Sequence, residues 1–161
     1  MSNDRRLDPV CGMMVDGQKI AVEYLGIRYA FCSEQCKERF ISNPHLYVGR
    51  PGHKAPKQEG LEIIKRRRLH LASHLTAEQV GVLTQALEAM MGIKKISVDG
   101  DRVEITYDLL QATAKQIEAR LVEIGAQLGE SWADRLRLAF VHYEEECEMG
   151  NVEAEEKCCR R

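Results

Sequence analysis

Long apolar runs are absent from this sequence of 161 residues. No stretch approaches the ~20 consecutive apolar residues of a transmembrane helix, so the sequence predicts no membrane span. The first residues, Met1–Arg6, are not followed by the apolar core of a secretory signal. We therefore expect a cytoplasmic protein, in which thiols stay reduced and clustered cysteines serve metal binding or redox chemistry.

A strong excess of charge of either sign is also missing. The formal net charge is -2, from 23 Lys and Arg against 25 Asp and Glu, so no overall basic field argues for a nucleic-acid partner. The local basic run Lys65–Arg68 is interpreted as one face of an exposed strand and not as a phosphate-binding patch.

Sequence signatures of an enzyme active site are lacking as well. There is no phosphate-binding loop, no Ser/His/Asp arrangement and no helix with two His and a Glu at metalloprotease spacing. His142, Glu145 and Glu146 share one face of a predicted helix. A solvated acidic face is favoured there over a carboxylate–histidine patch. The sequence therefore predicts a protein that is not an enzyme.

Cysteine, in contrast, is unevenly placed, and three of the six cysteines fall within the first forty residues. Cys11 lies in the turn sequence Asp8–Met13, whereas Cys32 and Cys36 are one helical turn apart on the same face. A soft divalent ion needs thiolates that converge from separate chain segments. We therefore predict one metal ion on these three thiolates, with buried core cysteines as the alternative.

The segments around these cysteines form an ordered set of motifs. Asp8–Met13 is followed by Tyr29–Cys36, by Phe40 and by Asn43–Tyr47, and together they resemble the YHS domain, a small treble-cleft-like metal-binding module of the TRASH group. Ala30 stands where the family name implies a histidine. The resemblance implies binding of zinc, copper or another thiophilic ion, as in metal transporters and metal-handling proteins.

The fourth ligand of this site has several candidates, namely Asp8, His45, a water, or a thiol from elsewhere. We favour Asp8, because Pro9 fixes the chain direction just before Cys11 and His45 needs a longer return path. A closed set of four ligands would indicate a structural ion. An incomplete set would let the ion enter and leave, as transfer or sensing requires.

The chain is predicted to hold two modules, each with its own pattern. In the first, two short strands join at Leu25–Gly26, and Ser33 caps the helix that carries Cys36. The predicted divisions are the YHS-like domain at 7–49, a linker at 50–60, a second module at 61–129, and a C-terminal helix with a cysteine-containing tail at 130–161.

The predicted order of elements in the second module is strand, helix, strand, strand, helix, strand. Thr76 and Gln79 form a capping box before its first helix, Asp99–Asp101 is a hairpin turn, Thr113 begins the second helix, and Ala126–Leu128 is a final short strand. This βαββαβ order is the ferredoxin-like arrangement. The predicted fold class is therefore α+β, a small treble-cleft-like module followed by a ferredoxin-like module with an extra C-terminal helix.

The second module carries a further resemblance. With Gly92–Ile93 before its second strand and Ile124–Ala126 after its second helix, it resembles the heavy-metal-associated domain of copper chaperones and P-type ATPases. That family's Cys-x-x-Cys should fall at Ala72–Thr76, where no cysteine occurs, so only the fold is implied. His70 and His74 are interpreted as exposed histidines at a strand end, with a weak metal site as the alternative.

The last segment predicts one more helix, from Glu130 to Glu148, with a polar tail beyond Gly150 that we expect to be mobile. An apolar stripe at a spacing of three and four residues is expected to pack on the second module and not to face a partner. This stripe comprises Trp132, Leu136, Phe140, Tyr143 and Cys147. Cys147, Cys158 and Cys159 form a second set of thiols, interpreted as an ordinary reactive tail or as a capture site.

These features predict a protein of metal trafficking, buffering or resistance that binds one zinc or copper ion through Cys11, Cys32 and Cys36, with Asp8 as fourth ligand. Its expected partner is a metal transporter or target protein. The alternative is an adaptor in which zinc only keeps the first module folded while the second module and the C-terminal helix bind a protein. Neither the choice of metal nor the oligomeric state follows from the sequence.

Overall fold

The computed structural model describes residues 4–129 and 132–158, which form two compact units. Among the described residues, one unit comprises 4–62 with 149–158, and the other comprises 63–129 with 132–148. The described residues contain small antiparallel sheets and four α-helices. The mixed α and β class that the sequence predicts is therefore confirmed. No helix in the described part of the chain is both long and apolar enough to span a bilayer.

The first unit contains two β-ribbons and one helix. In the second ribbon the strands join through Leu25 and Gly26, both at positive φ, 52° and 74°, as a two-residue hairpin turn requires. This is the predicted hairpin. The elements are β1 (Arg5–Leu7), β2 (Met14–Asp16), β3 (Ile20–Tyr24), β4 (Ile27–Phe31), α1 (Glu34–Ser42) and a 3₁₀ turn at Pro44–Leu46, with β1 paired to β2 and β3 paired to β4.

An aromatic cluster centred on Phe40 holds α1 against the second ribbon. The Phe40 ring is fully buried, and its centroid lies 5.0 Å from that of Tyr29 and 5.2 Å from that of Phe31. Tyr24 and Tyr47 complete the cluster at 5.8 and 6.1 Å. Aromatic pairs at such separations stabilise beyond their buried area alone, so this cluster contributes to holding α1 on β3 and β4.

The second unit is a three-stranded antiparallel sheet with helices. The strand order is β5-β7-β6. The predicted capping box of Thr76 with Gln79 is present, and the structure adds a second one, of Thr113 with Gln116, at the predicted start of the next helix. The elements that begin in this unit are β5 (Ile64–His70), α2 (Ala77–Glu88), β6 (Ile93–Asp99), β7 (Arg102–Asp108), α3 (Ala114–Glu123) and α4 (Trp132–Cys158).

The predicted final strand at Ala126–Leu128 is not a strand. Only Leu128 forms an isolated antiparallel bridge, to Leu71, supported by bonds from Ala72 N to Gln127 O and from Gly129 N to His70 O. The segment follows Gly125, whose φ is 84°, and it is too short to continue the ladder. The sheet has three strands in the described residues, and the complete ferredoxin-like arrangement remains a prediction.

The helix α4 differs from its prediction in length. It runs to Cys158, ten residues past the predicted end at Glu148, so the segment beyond Gly150–Asn151 is helical as far as Cys158, while its mobility stays a prediction. Residues after Asn151 are mostly helix-forming, and one glycine inside a helix is tolerated at modest cost. Glu153 also accepts a hydrogen bond of 3.0 Å from Asn43 Nδ2 within the first unit. Cys159 lies outside the described residues.

The buried face of α4 also differs from its prediction. Phe140 and Tyr143 are 60% and 64% exposed, and Cys147 is exposed too, whereas Glu145 is only 3% exposed. The expected packing of the apolar stripe is therefore wrong for these members, and the side chains of Trp132 and Leu136 lie outside the described residues. Helix α4 packs in the second unit through polar contacts instead.

The basic run Lys65–Arg68 lies in β5, where successive side chains point to opposite faces of the sheet. One face pairs with carboxylates of α4, and the other pairs with Glu104 of β7. The predicted exposed face is therefore present in Arg66 and Arg68, which share the one carboxylate of Glu104, whereas Lys65 and Arg67 lie on the opposite, less exposed face. The ion pairs are Lys65–Glu148, Arg67–Glu144, Arg67–Glu145, Arg66–Glu104 and Arg68–Glu104.

Candidate metal site

Cys11 is presented by a closed turn between β1 and β2. The Asp8 N–H donates to Met13 O at 2.8 Å, and the Gly12 N–H donates to Asp8 O at 2.9 Å. Gly12 has a φ of 77°, in the left-handed region that glycine adopts at little cost. The turn therefore holds the Cys11 thiol in one place between two paired strands.

Cys32 and Cys36 come from the junction of β4 and α1. Cys32 directly follows β4, and Cys36 lies in the first turn of α1. Ser33 is the N-cap, with its Oγ accepting from Cys36 N at 3.4 Å. The predicted cap therefore fixes the start of the helix and the direction of the second thiol pair.

The three sulfurs converge. Cys32 Sγ lies 3.5 Å from both Cys11 Sγ and Cys36 Sγ, and none of the three cysteines is in a disulfide. Two sulfurs on one tetrahedral zinc ion are about 3.8 Å apart at ordinary bond lengths. Ligand atoms of Asp8, Cys11, Cys32 and Cys36 lie within 4.8 Å of one another. The structure therefore brings together all four residues of the predicted site, in an arrangement that fits a thiophilic ion.

The site is buried on one side and accessible on the other. Asp8 and Cys36 are fully buried, whereas Cys11 and Cys32 are half-buried. An ion held here would contact the protein interior through two residues and would remain within reach of solvent past the other two. This asymmetry matters for exchange, because an incoming ligand needs an open approach.

The three thiols of the site have different pKa values. A hydrogen bond from Cys36 and the backbone of Met13 together lower the pKa of Cys11 to about 7, although burial works against them. Burial raises the pKa of Cys32 to about 11, with the nearby Ser33 hydroxyl opposing it. The hydrogen bond to Cys11 and burial both raise the pKa of Cys36. Near neutral pH Cys11 is therefore only partly ionised and the other two thiols are protonated, so a metal ion must displace the remaining protons.

Asp8 accepts three backbone hydrogen bonds that were not predicted. Its Oδ1 accepts from Val10 N at 2.8 Å and Cys11 N at 3.3 Å, and its Oδ2 accepts from Cys32 N at 2.8 Å. The first two bonds are a local turn of the kind that Asp favours, a signal that was available in the sequence. The third bond joins segments 24 residues apart, and no local pattern indicates it.

The other candidate ligands lie elsewhere. His45 Nε2 is 3.4 Å from Tyr24 Oη, and His45 is not a member of the ligand group. His70 is half-buried and His74 is exposed, and neither belongs to a metal-capable group within residues 4–129 and 132–158. Cys147 is exposed on α4. The weak histidine site that the sequence allowed therefore has no cluster of ligands among the described residues.

A comparison with known protein families gives a match for the first module of the chain. Residues 7–50 match the YHS domain. The resemblance that rests on the cysteine motifs is therefore confirmed for this segment, and the cluster of Asp8, Cys11, Cys32 and Cys36 lies within it. The resemblance of the second module to the heavy-metal-associated domain stays a prediction.

Two further comparisons concern the chain more widely. It is similar to a solved structure described as the CsoZ metallochaperone, at 23% sequence identity and a TM-score of 0.39, over 42% of this chain and 99% of that one. At that TM-score the likeness does not establish a shared fold. No curated protein matches the chain.

Proposed function

We propose that this protein binds one thiophilic metal ion through Cys11, Cys32 and Cys36 of its YHS domain and passes it to another protein in metal trafficking, buffering or resistance. The observation that carries the proposal is the convergence of three sulfurs from two chain segments, with neighbouring sulfurs 3.5 Å apart. Three thiolates form a polarisable, negatively charged shell that selects zinc or copper(I) over hard cations.

Exchange of the ion, and not permanent retention, fits the surroundings of the site. The aromatic cluster around Phe40 holds α1 on β3 and β4, so the fold of this unit does not depend on the ion alone. Cys11 and Cys32 are half-buried, which leaves a path for a competing ligand. A trafficking protein needs both properties, because it must stay folded while its ion leaves.

The test is metal stoichiometry of the purified full-length protein by elemental analysis, with thiol titration before and after chelation. We expect one ion per chain in the wild type and none in Cys32→Ser, because two thiolates alone lose much of the affinity. Cys147→Ser is the matched control, since this exposed thiol lies on α4 outside the ligand group. Full occupancy in Cys32→Ser would contradict the proposed site.

The second module, on this proposal, is a ferredoxin-like domain of the heavy-metal-associated type that has lost its metal loop. Its sheet order β5-β7-β6 and the bridge from Leu128 to Leu71 support that arrangement, with the fourth strand reduced to one residue pair. Because Ala72–Thr76 carries no cysteine, we expect no tight copper(I) in a full-length protein with all six cysteines changed to serine. Stoichiometric copper there would assign a metal role to His70 and His74.

A second candidate function is an adaptor with a structural zinc ion. The observation in its favour is the exposure of Phe140 and Tyr143 on α4, two large side chains on a helix that could contact a protein partner. Chelation separates the two functions. Loss of the far-ultraviolet circular dichroism of the first unit on zinc removal supports the adaptor, whereas a folded apo-protein supports trafficking.

A further inference from the structure

The carboxylate of Asp8 is fully buried beside three thiols, and each of its oxygens accepts at least one backbone hydrogen bond. Oδ1 accepts hydrogen bonds from the amides of Val10 and Cys11, and Oδ2 accepts one from the amide of Cys32. Two of these donors are the backbone amides of the cysteines themselves. The side chain therefore connects the turn that holds Cys11 to the strand end that holds Cys32.

Rotation of this carboxylate onto a metal ion would disturb those bonds. The amides of Val10 and Cys32 lie next to the buried side chain, and a backbone N–H that loses its acceptor in such a place is costly. Both bonds of 2.8 Å have the length of strong amide hydrogen bonds to a charged acceptor. The geometry favours a carboxylate that remains where it is when an ion binds.

We propose that Asp8 is a positioning residue and not a ligand, an inference that rests on the proposed metal site. Its hydrogen bonds hold the two cysteine segments together. The ion is then coordinated by Cys11, Cys32 and Cys36, and one coordination position remains for an exchangeable ligand from outside the chain. In the isolated protein that ligand is water, and during transfer it is an incoming thiolate.

The rest of the site agrees with an open position. His45, the other candidate from this unit, is engaged with Tyr24 and is absent from the ligand group. The accessible side of the cluster is the side of Cys11 and Cys32, the half-buried thiols. An incoming thiolate suits an ion that already holds three, because soft ligands favour the same ions.

Cobalt(II) is the probe for the first experiment, because its visible spectrum reports the number of thiolates and the geometry. The protein is the full chain with Cys147, Cys158 and Cys159 changed to serine, so that no other thiol of the chain can enter the site. We expect titration with 2-mercaptoethanol to give a saturable change at one thiol per ion. The thiolate-to-cobalt absorbance should rise by about a third, as a fourth thiolate joins three.

No spectral response before the ion is stripped from the protein would overturn the proposal, since the fourth position would then be filled by the chain. Failure to take up cobalt at all is a different result. It would contradict the proposed metal site itself, so the two failures are distinguishable. This experiment uses the native Asp8 and does not depend on the folding of a variant at that position.

The variant Asp8→Asn distinguishes a positioning role of Asp8 from a role as metal ligand. Its amide group would place N–H donors against backbone N–H donors, so we expect the ion to leave about tenfold to a hundredfold faster in competition with a chelator. The cobalt spectrum without added thiol, and the affinity for 2-mercaptoethanol, should stay within about twofold of the parent. A merely structural role would change unfolding alone and leave the release rate of the folded protein as it was.

If Asp8 were a ligand, its removal would have the opposite signature. The cobalt spectrum would change before thiol is added, and 2-mercaptoethanol would bind about tenfold or more tightly, because no carboxylate would compete with it. Asp16→Asn is the matched control. This carboxylate is exposed, lies in β2 and is outside the ligand group, so its loss should alter neither release nor spectrum.

Discussion

Glu145 is a buried carboxylate that joins three elements of the second unit. It accepts a hydrogen bond from the Tyr107 hydroxyl of β7 and one of 2.9 Å from the Ala114 amide at the start of α3. Nearby, His142 of α4 contacts Glu118 of α3 at 2.8 Å. Burial and the neighbouring negative charge raise the pKa of Tyr107, so its hydroxyl remains protonated and available as a donor.

Removing that donor should destabilise the second unit. We predict that Tyr107→Phe lowers the free energy of unfolding by ~1–3 kcal/mol, because a buried carboxylate loses one of its hydrogen bonds. Urea unfolding followed by circular dichroism measures the change. Tyr143→Phe is the control, since Tyr143 is exposed on the same helix and should stay within ~0.5 kcal/mol of wild type. Equal stabilities of the two variants would contradict this account of Glu145.

Metal affinity should depend steeply on pH. With the pKa of Cys11 at about 7, that of Cys32 at about 11 and that of Cys36 raised, an ion displaces about two protons between those two values and about three below the lower one. The affinity therefore rises with pH, and the slope of its logarithm should steepen from about two to about three as pH falls through the pKa of Cys11.

Chelator competition at a series of pH values from about 6 to about 9 measures that slope. The free chelator must be corrected for its own protonation. A slope near zero across this range would mean that all three thiols are already ionised in the apo-protein, which the burial of Cys36 argues against.

Local signals predicted elements well in this chain. Ser33, Thr76 and Thr113 cap helices where the sequence places them, because a cap involves residues only three positions apart. The spacing of the three cysteines likewise indicated their convergence. The amide contact from Cys32 to Asp8 and the burial of Glu145 were missed, because their partners are distant in sequence.

The length of α4 was missed for a related reason. Gly150 and Asn151 look like a stop signal, yet the helix continues to Cys158. Residues on both sides of the glycine are helical, and Asn43 contacts Glu153 from α1's end. A tertiary contact of this kind outweighs a weak local preference.

Filling the glycine position should strengthen the helix. A Cβ added at Gly150 meets no other atom within 4 Å, so we predict that Gly150→Ala raises stability by ~1 kcal/mol. Gly92→Ala is the contrasting variant, because Gly92 has a φ of 82° and its added Cβ would lie 2.6 Å from Gln111 Cβ. Thermal unfolding compares the two. A loss of stability in Gly150→Ala would show that the helix is interrupted there.

In the whole molecule, metal binding should stabilise only the first unit, which contains the candidate site. Binding to the folded site stabilises the part of the chain that forms it. We predict that hydrogen exchange slows in β3, β4 and α1 when zinc is added, and stays unchanged in β5, β6 and β7. Mass spectrometry of peptides from the full chain measures both regions. Equal protection of both sheets would show that the two units unfold as one.

The pairing of the β5 cations has a consequence for proteolysis. Trypsin cleaves after Lys and Arg, and Lys65–Arg68 offers it four adjacent bonds, yet every one of these residues lies in a strand paired to β7 over its full length. Lys54 lies in an exposed loop and should be cut first, whereas Arg50 precedes Pro51 and offers trypsin no cleavable bond. Cleavage within β5 requires the sheet to open. The rate at which fragments cut within β5 accumulate therefore reports unfolding of the second unit, even in a crude mixture where spectroscopy is not practicable.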